Sequence, residues 1–256
     1  SGDTTEATVS PATLTFTLLT WNVPQLVTVQ GADDRLIDGS QSTAVTVSVV
    51  DALSDDLFDG AADQSVLVTT MDDDGAGFTV SQPTATVSES GSTDAFTVAL
   101  TAQPDTTVVL TVTSGDVTEV TASPPTLVFS VGNWNAPQTV TVTGVDDKLL
   151  DGLQTTPVTV SVADALSDDH FDTLSDQVVT VTTADDDVAG FRLSKVTASV
   201  SENGTSDTFT VVLTAQPDTS VTLAVTSSDT GEATVSPAEV TFAQGNWNSP
   251  QTVTGT

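Results

Sequence analysis

Cysteine and tyrosine are absent from the 256 residues, histidine occurs once, and lysine plus arginine number only four. No disulfide, thiolate metal site or cysteine nucleophile can therefore be built. Nucleophile–base pairs and Gly-rich phosphate cradles are missing too, so the chain is expected to be non-enzymatic. Paired carboxylates can hydrolyse glycosides, but that chemistry needs an aromatic-lined cleft, and aromatics make up 5% of the chain. No apolar run approaches the roughly 20 residues that cross a bilayer, which predicts no membrane insertion in this segment. Ser1 does not open a signal peptide, so an export signal or anchor is expected outside this stretch.

Acid is abundant where base is scarce. Asp and Glu number 35, giving a formal charge of -31. This charge excludes nucleic acid and anionic membrane surfaces as partners and makes cations the natural ones. A hydrophobic content of 38% is enough for packed cores, so the chain is not a disordered acidic tail.

Trp21, Trp134 and Trp247 lie 113 residues apart, and the same offset carries Phe78 onto Phe191 and Glu89 onto Glu202. The chain therefore holds an internal repeat that is not present a whole number of times. Residues 1–74 read as the C-terminal part of one repeat, 75–187 as a complete repeat and 188–256 as the N-terminal part of a third. Either the stretch is a window on a longer array, or the missing strands come from a neighbouring molecule, as in strand-complemented filaments.

Within one period the residues alternate with a period of two. Thr139-Val140-Thr141-Val142-Thr143 and Val158-Thr159-Val160-Ser161-Val162 set Val on one face and Thr or Ser on the other. Helical periodicity is absent, and Gly, Pro, Asn and Asp punctuate the runs. Seven runs are expected, at about 79–87, 94–101, 107–113, 125–130, 139–145, 156–163 and 178–184. The predicted fold class is all-β: tandem, immunoglobulin-like, seven-stranded antiparallel β-sandwiches.

Antiparallel succession places the ends of the first, third, fifth and seventh runs at one pole. Glu89 follows the first run, Glu119 the third, Asp146, Asp147 and Asp151 the fifth, and Asp185, Asp186 and Asp187 the seventh. Carboxylates crowded this way repel one another unless neutralised, and several loops of hard oxygen ligands are what a multi-calcium site requires. Turn capping or general acidification would not leave the strand faces to Thr while the acids collect at strand ends.

At these residues the sequence resembles the Calx-beta domain, the calcium-binding module of sodium–calcium exchangers, found also in integrin β4 and in large bacterial surface proteins. The resemblance spans the whole period. It rests on Val87-Ser88-Glu89-Ser90-Gly91, on Val145-Asp146-Asp147 followed by Asp151, and on Asp185-Asp186-Asp187. It implies calcium-ligand roles for Glu89, Asp146, Asp147, Asp151, Asp185, Asp186 and Asp187, with a backbone carbonyl from Leu149. Glu119 matches the spacing of a ligand aspartate ten residues before the strand phenylalanine, here Phe129. In the first copy the corresponding set is Glu6, Asp33, Asp34, Leu36, Asp38, Asp72, Asp73 and Asp74; the third copy offers only Glu202 and Glu232. Lys148 and Gln154 depart from the family's acidic pattern, which implies fewer or weaker ions.

Other features carry less. The Trp134 and Trp247 turns fall at the pole opposite the acids; they are expected to cap a core or junction, with a sugar platform as the other reading. His170, replaced by Leu57 in the first copy, is expected to face solvent, and Asp168 to lie outside the binding pole. Asn203-Gly204-Thr205 is a glycosylation sequon. The expected function is a calcium-binding structural or adhesive stalk or filament component, secreted or at a bacterial cell surface. Its partners would be calcium, neighbouring repeats of the same or identical chains, and an unidentified surface or glycan ligand. A calcium-sensing regulatory module is the alternative.

Overall fold

The computed structural model describes residues 1–256. The chain is all-β, and no helix is long and apolar enough to cross a membrane. Four strands precede Phe78: β1 Ala7–Ser10, β2 Thr28–Gly31, β3 Gln41–Val47 and β4 Gln64–Thr70. Nine follow, through Ala184: β5 Phe78–Val80, β6 Thr84–Ser88, β7 Thr93–Leu100, β8 Val108–Ser114, β9 Val120–Ser123, β10 Thr126–Phe129, β11 Gln138–Gly144, β12 Gln154–Val162 and β13 Gln177–Ala184. The last six are β14 Phe191–Leu193, β15 Asp207–Leu213, β16 Val221–Ala224, β17 Val235–Ser236, β18 Glu239–Phe242 and β19 Gln251–Gly255.

The nine middle strands form two sheets, ordered β10-β8-β12-β13-β6 and β5-β7-β11-β9. Alternate residues of both turn inward onto one cluster of 19 buried side chains, including Phe96, Leu110, Phe129, Val140, Val158 and Val181. Burying each such side chain contributes about 1.5–3 kcal/mol, so the Val/Thr alternation is sufficient to select this packing.

Two expectations are corrected. The first run is two strands in different sheets: β5 pairs antiparallel with β7, whereas β6 pairs parallel with β13. Pro83 lies at the switch, where its carbonyl accepts the Thr180 N–H at 2.9 Å, and its lack of an N–H suits a break in a strand. The unforeseen β9 pairs with β11, so the sandwich has nine strands and one parallel pair. This is the immunoglobulin-like arrangement with a first strand shared between the sheets.

On either side the cores are open. Residues 1–74 form two separate two-stranded sheets, β1-β2 and β3-β4, and leave Leu18, Leu26 and Leu67 exposed. After residue 190, β14-β15-β19-β17 and β16-β18 enclose five buried residues. Trp134 and Trp247 pack against the edges of their cores, and the Trp134 carbonyl accepts the Leu100 N–H at 3.0 Å.

Candidate metal centre

The middle sandwich closes at one pole around a glycine. Register sets Ser88 beside Ala184, and Gly144 ends β11 against them, where an added Cβ would lie 2.1 Å from the Ser88 carbonyl oxygen. No side chain fits there. The two sheets can therefore bring the loops after β6, β11 and β13 together. A glycine ending a strict Thr/Val alternation is the sequence signal for this approach.

Glu89 lies at the centre of these loops. Its side chain is 1% exposed, and both carboxylate oxygens are buried without a hydrogen-bond partner. Burial, followed by repulsion from Asp147, Asp185, Asp151 and Glu119, pushes its carboxyl up to about 7. Glu119, on the loop before β9, is also buried with Oε2 unpartnered. Burial, then Asp151 and Asp147, raises its pKa as well. Asp187 Oδ2 is a further buried oxygen without a partner. Oxygens left this way are costly unless a cation or donor meets them.

Two sets of carboxylate oxygens lie within 4.8 Å of one another: Glu89, Asp147 and Asp187, and Glu89, Glu119 and Asp151. Glu89 belongs to both sets, so it can bridge two cations. Every donor is a hard oxygen, and neither set contains the nitrogen or sulfur that transition metals favour. Calcium, which takes 6 to 8 oxygens in flexible geometry, fits them.

Asp185 and Asp146, which join neither oxygen set, and one oxygen of Asp147 hold the loops. Asp185 accepts Asp187 N–H on Oδ1 at 2.8 Å and Gly152 N–H on Oδ2 at 3.0 Å. Gly152, at φ +74°, needs the left-handed conformation for this turn. Asp147 Oδ1 accepts the Leu149 N–H at 2.6 Å. Asp146 is paired with Lys148, whose ammonium stands 3.0 Å from Asp146 Oδ1 and 3.4 Å from Asp187 Oδ1. Asp186 joins neither oxygen set. No backbone N–H donates to the Leu149 carbonyl, which leaves it free for the predicted role.

The pole of residues 1–74 repeats these bonds. Asp34 Oδ1 accepts Leu36 N–H, Asp72 Oδ1 accepts Asp74 N–H and Asp72 Oδ2 accepts Gly39 N–H, each at 2.8 Å. Glu6, Asp33, Asp34, Asp38, Asp72, Asp73 and Asp74 line one small cavity of about 30 Å³. Glu6 is raised by burial and by Asp38 and Asp34. Leu36 is outside that lining. Glu202 and Glu232 are exposed and gather no acidic partners.

A third trio, Asp105, Asp168 and His170, lies on the loops before β8 and after β12. Asp168 is buried, and both its oxygens are occupied: Oδ2 accepts Asp105 N–H at 2.7 Å and Thr106 N–H at 3.0 Å, while Oδ1 meets His170 N and Nδ1 at 3.0 Å. Burial works to raise its pKa, but the His170 and Thr106 N–H groups, the His170 ring and Asp105 N–H outweigh it and hold the carboxyl below its ordinary value. Asp168 is thus a staple between loops. His170, expected to face solvent, is half-exposed yet bonded to it.

No family model matches the chain, and no curated protein matches it. Similar solved structures include the apo form of the Calx CBD1 domain, 16% identical, covering 43% of this chain and 96% of that one at TM-score 0.33. Calcium binding domain CBD12 of CALX1.1 is 16% identical and covers 70% and 74% at TM-score 0.34. Domains 4 and 5 of the S-layer protein SbsC are 19% identical and cover 62% of each chain at TM-score 0.35. Likeness at this level carries no functional argument.

Proposed function

We propose that this chain is a non-catalytic, calcium-binding β-sandwich repeat module of an extracellular or cell-surface stalk or filament, stiffened by calcium at the poles of its repeats. One observation carries the calcium reading: Glu89, 1% exposed, has no partner for either oxygen and is shared by two carboxylate sets. A buried acid with repelling neighbours and no donor is stable only with a cation beside it or a proton on it. The stalk reading is supported by duplication. Equivalent loops carry the same hydrogen bonds at both acidic poles, and short segments, Gly75-Ala76-Gly77 and Val188-Ala189-Gly190, follow the third aspartate of each.

The test is calcium titration by calorimetry on the 256-residue chain, with thermal unfolding in calcium and in chelator. A site with Kd of roughly 0.1 mM stabilises the folded state by about 1.4 kcal/mol per ion at about 1 mM calcium. Two ions should raise the transition by several degrees or more. Asp147→Asn should abolish about half of that shift, because Asp147 belongs to one of the two oxygen sets. An absence of heat and an unchanged melting curve would end the calcium reading. A stiffened stalk further requires that scattering show a straighter molecule in calcium than in chelator.

A further inference from the structure

Between its acids, each pole loop carries an apolar side chain that a metal site does not need: Ile37 between Asp34 and Asp38, and Leu150 between Asp147 and Asp151. Ile37 is half-buried against the 19-residue core of the sandwich that follows it. Leu150, in the same position one period later, lines an apolar cavity of about 330 Å³ with Phe191, Leu213, Pro217 and Leu223 of the next unit. A backbone latch sits beside each residue. Gln103 N–H donates to the Arg35 carbonyl and Gln216 N–H to the Lys148 carbonyl, both at 2.8 Å. Leu36–Gln103 and Leu149–Gln216 form the matching parallel bridges. The same backbone contact thus occurs at two junctions 113 residues apart, with Ile37 half-buried at the first and Leu150 41% exposed at the second, where the following core is open.

The acids hold the same segment. Asp34 and Asp147 accept N–H groups inside their own loops. Asp147 and Asp151 fall in different oxygen sets, so the pair flanks Leu150 with one member of each. Filling both sets would pin both ends of the segment and fix the height of the apolar residue between them. Empty sets leave neighbouring carboxylates to repel one another and spread the loop.

We infer that the acidic loop of each sandwich is a wedge in the base of the next, so that a cation bound at one pole stabilises the following sandwich as well as its own. Each pole is coupled to the sandwich that follows it in the chain, because Ile37 and Leu150 both reach forward. Its metal-linked half rests on the calcium reading; the wedge does not. Coupling between two equilibria is reciprocal, so loosening the wedge must also weaken calcium at the pole that carries it.

Both halves are testable in the full chain with Trp21→Phe and Trp247→Phe, which leaves Trp134 to report the middle sandwich. Ile37→Ala should lower its folding constant roughly tenfold or more in urea titrations, and Ile37→Val by a smaller factor in the same direction. Leu150→Ala, which removes no carboxylate, should weaken calcium at the Glu89 pole at least about twofold by calorimetry, with Leu150→Met restoring it. An unchanged urea midpoint for both Ile37 variants overturns the wedge. A lowered midpoint with unchanged calcium affinity in Leu150→Ala overturns the coupling. A wild-type chain that takes up no calcium defeats the calcium reading, and the Ile37 variants then still decide the wedge.

Discussion

Removing calcium should make the middle sandwich less stable as pH rises, the reverse of what ordinary acidic surfaces do. Glu89 moves from an ordinary 4.5 to about 7 on folding. Between these values the native state holds a proton that the unfolded chain has released, so stability falls from about pH 4.5 to about pH 7 and then levels. The displacement corresponds to ~3 kcal/mol, and Glu119, raised for the same reasons, adds in the same direction. Asp94, Asp116 and Asp168, whose pKa values are lowered, contribute stability only above their unfolded pKa and lose it in acid, outside this window. Urea unfolding of the Trp134-only chain in chelator at pH 5 and pH 8 reads the difference. In calcium the fall should shrink or reverse, since the ions bind the ionised carboxylate, and binding near pH 7 should release about half a proton from Glu89. Calorimetry in two buffers of different ionisation enthalpy measures that release. Glu89→Gln should reduce the pH dependence to the part that Glu119 contributes, gain up to ~3 kcal/mol at pH 8 in chelator, and lose the calcium response. Equal pH slopes in the wild type and Glu89→Gln would refute the reasoning.

Three further outcomes follow from named contacts. Asp168→Ala should cost the middle sandwich ~2–4 kcal/mol by orphaning the N–H groups of Asp105 and Thr106, yet leave calcium affinity unchanged in calorimetry; a parallel loss of both would make it part of the site. Lys148→Met removes an ammonium 3.4 Å from Asp187 and should tighten calcium binding a few-fold at low salt, less at high salt; an unchanged Kd would show that the ammonium does not compete. Gly144→Ala must displace the Ser88 backbone and should destabilise the sandwich by ~3 kcal/mol or more in urea, with calcium uptake lost as well.

The sequence alone was sufficient for the period of 113, the alternation that makes Val the core face, and the collection of acids at strand ends. These are local or periodic signals, and the two-residue strand repeat converts them directly into faces and poles. Alternation cannot say which sheet a strand joins, so the division of the first run at Pro83 and the short β9 were decided by pairing with distant strands. Nor can it rank eight similar carboxylates. Folding buried Glu89 without a donor, closed both oxygens of Asp185 and Asp168 with backbone N–H groups, and turned Asp146 toward Lys148. Whether an acid is a ligand or a loop staple depends on which donors reach it, and one oxygen each of Asp185 and Asp168 is closed from 33 and from 62 to 63 residues away. The forward reach of Ile37 and Leu150 is a tertiary fact of the same kind, set where one sandwich meets the next.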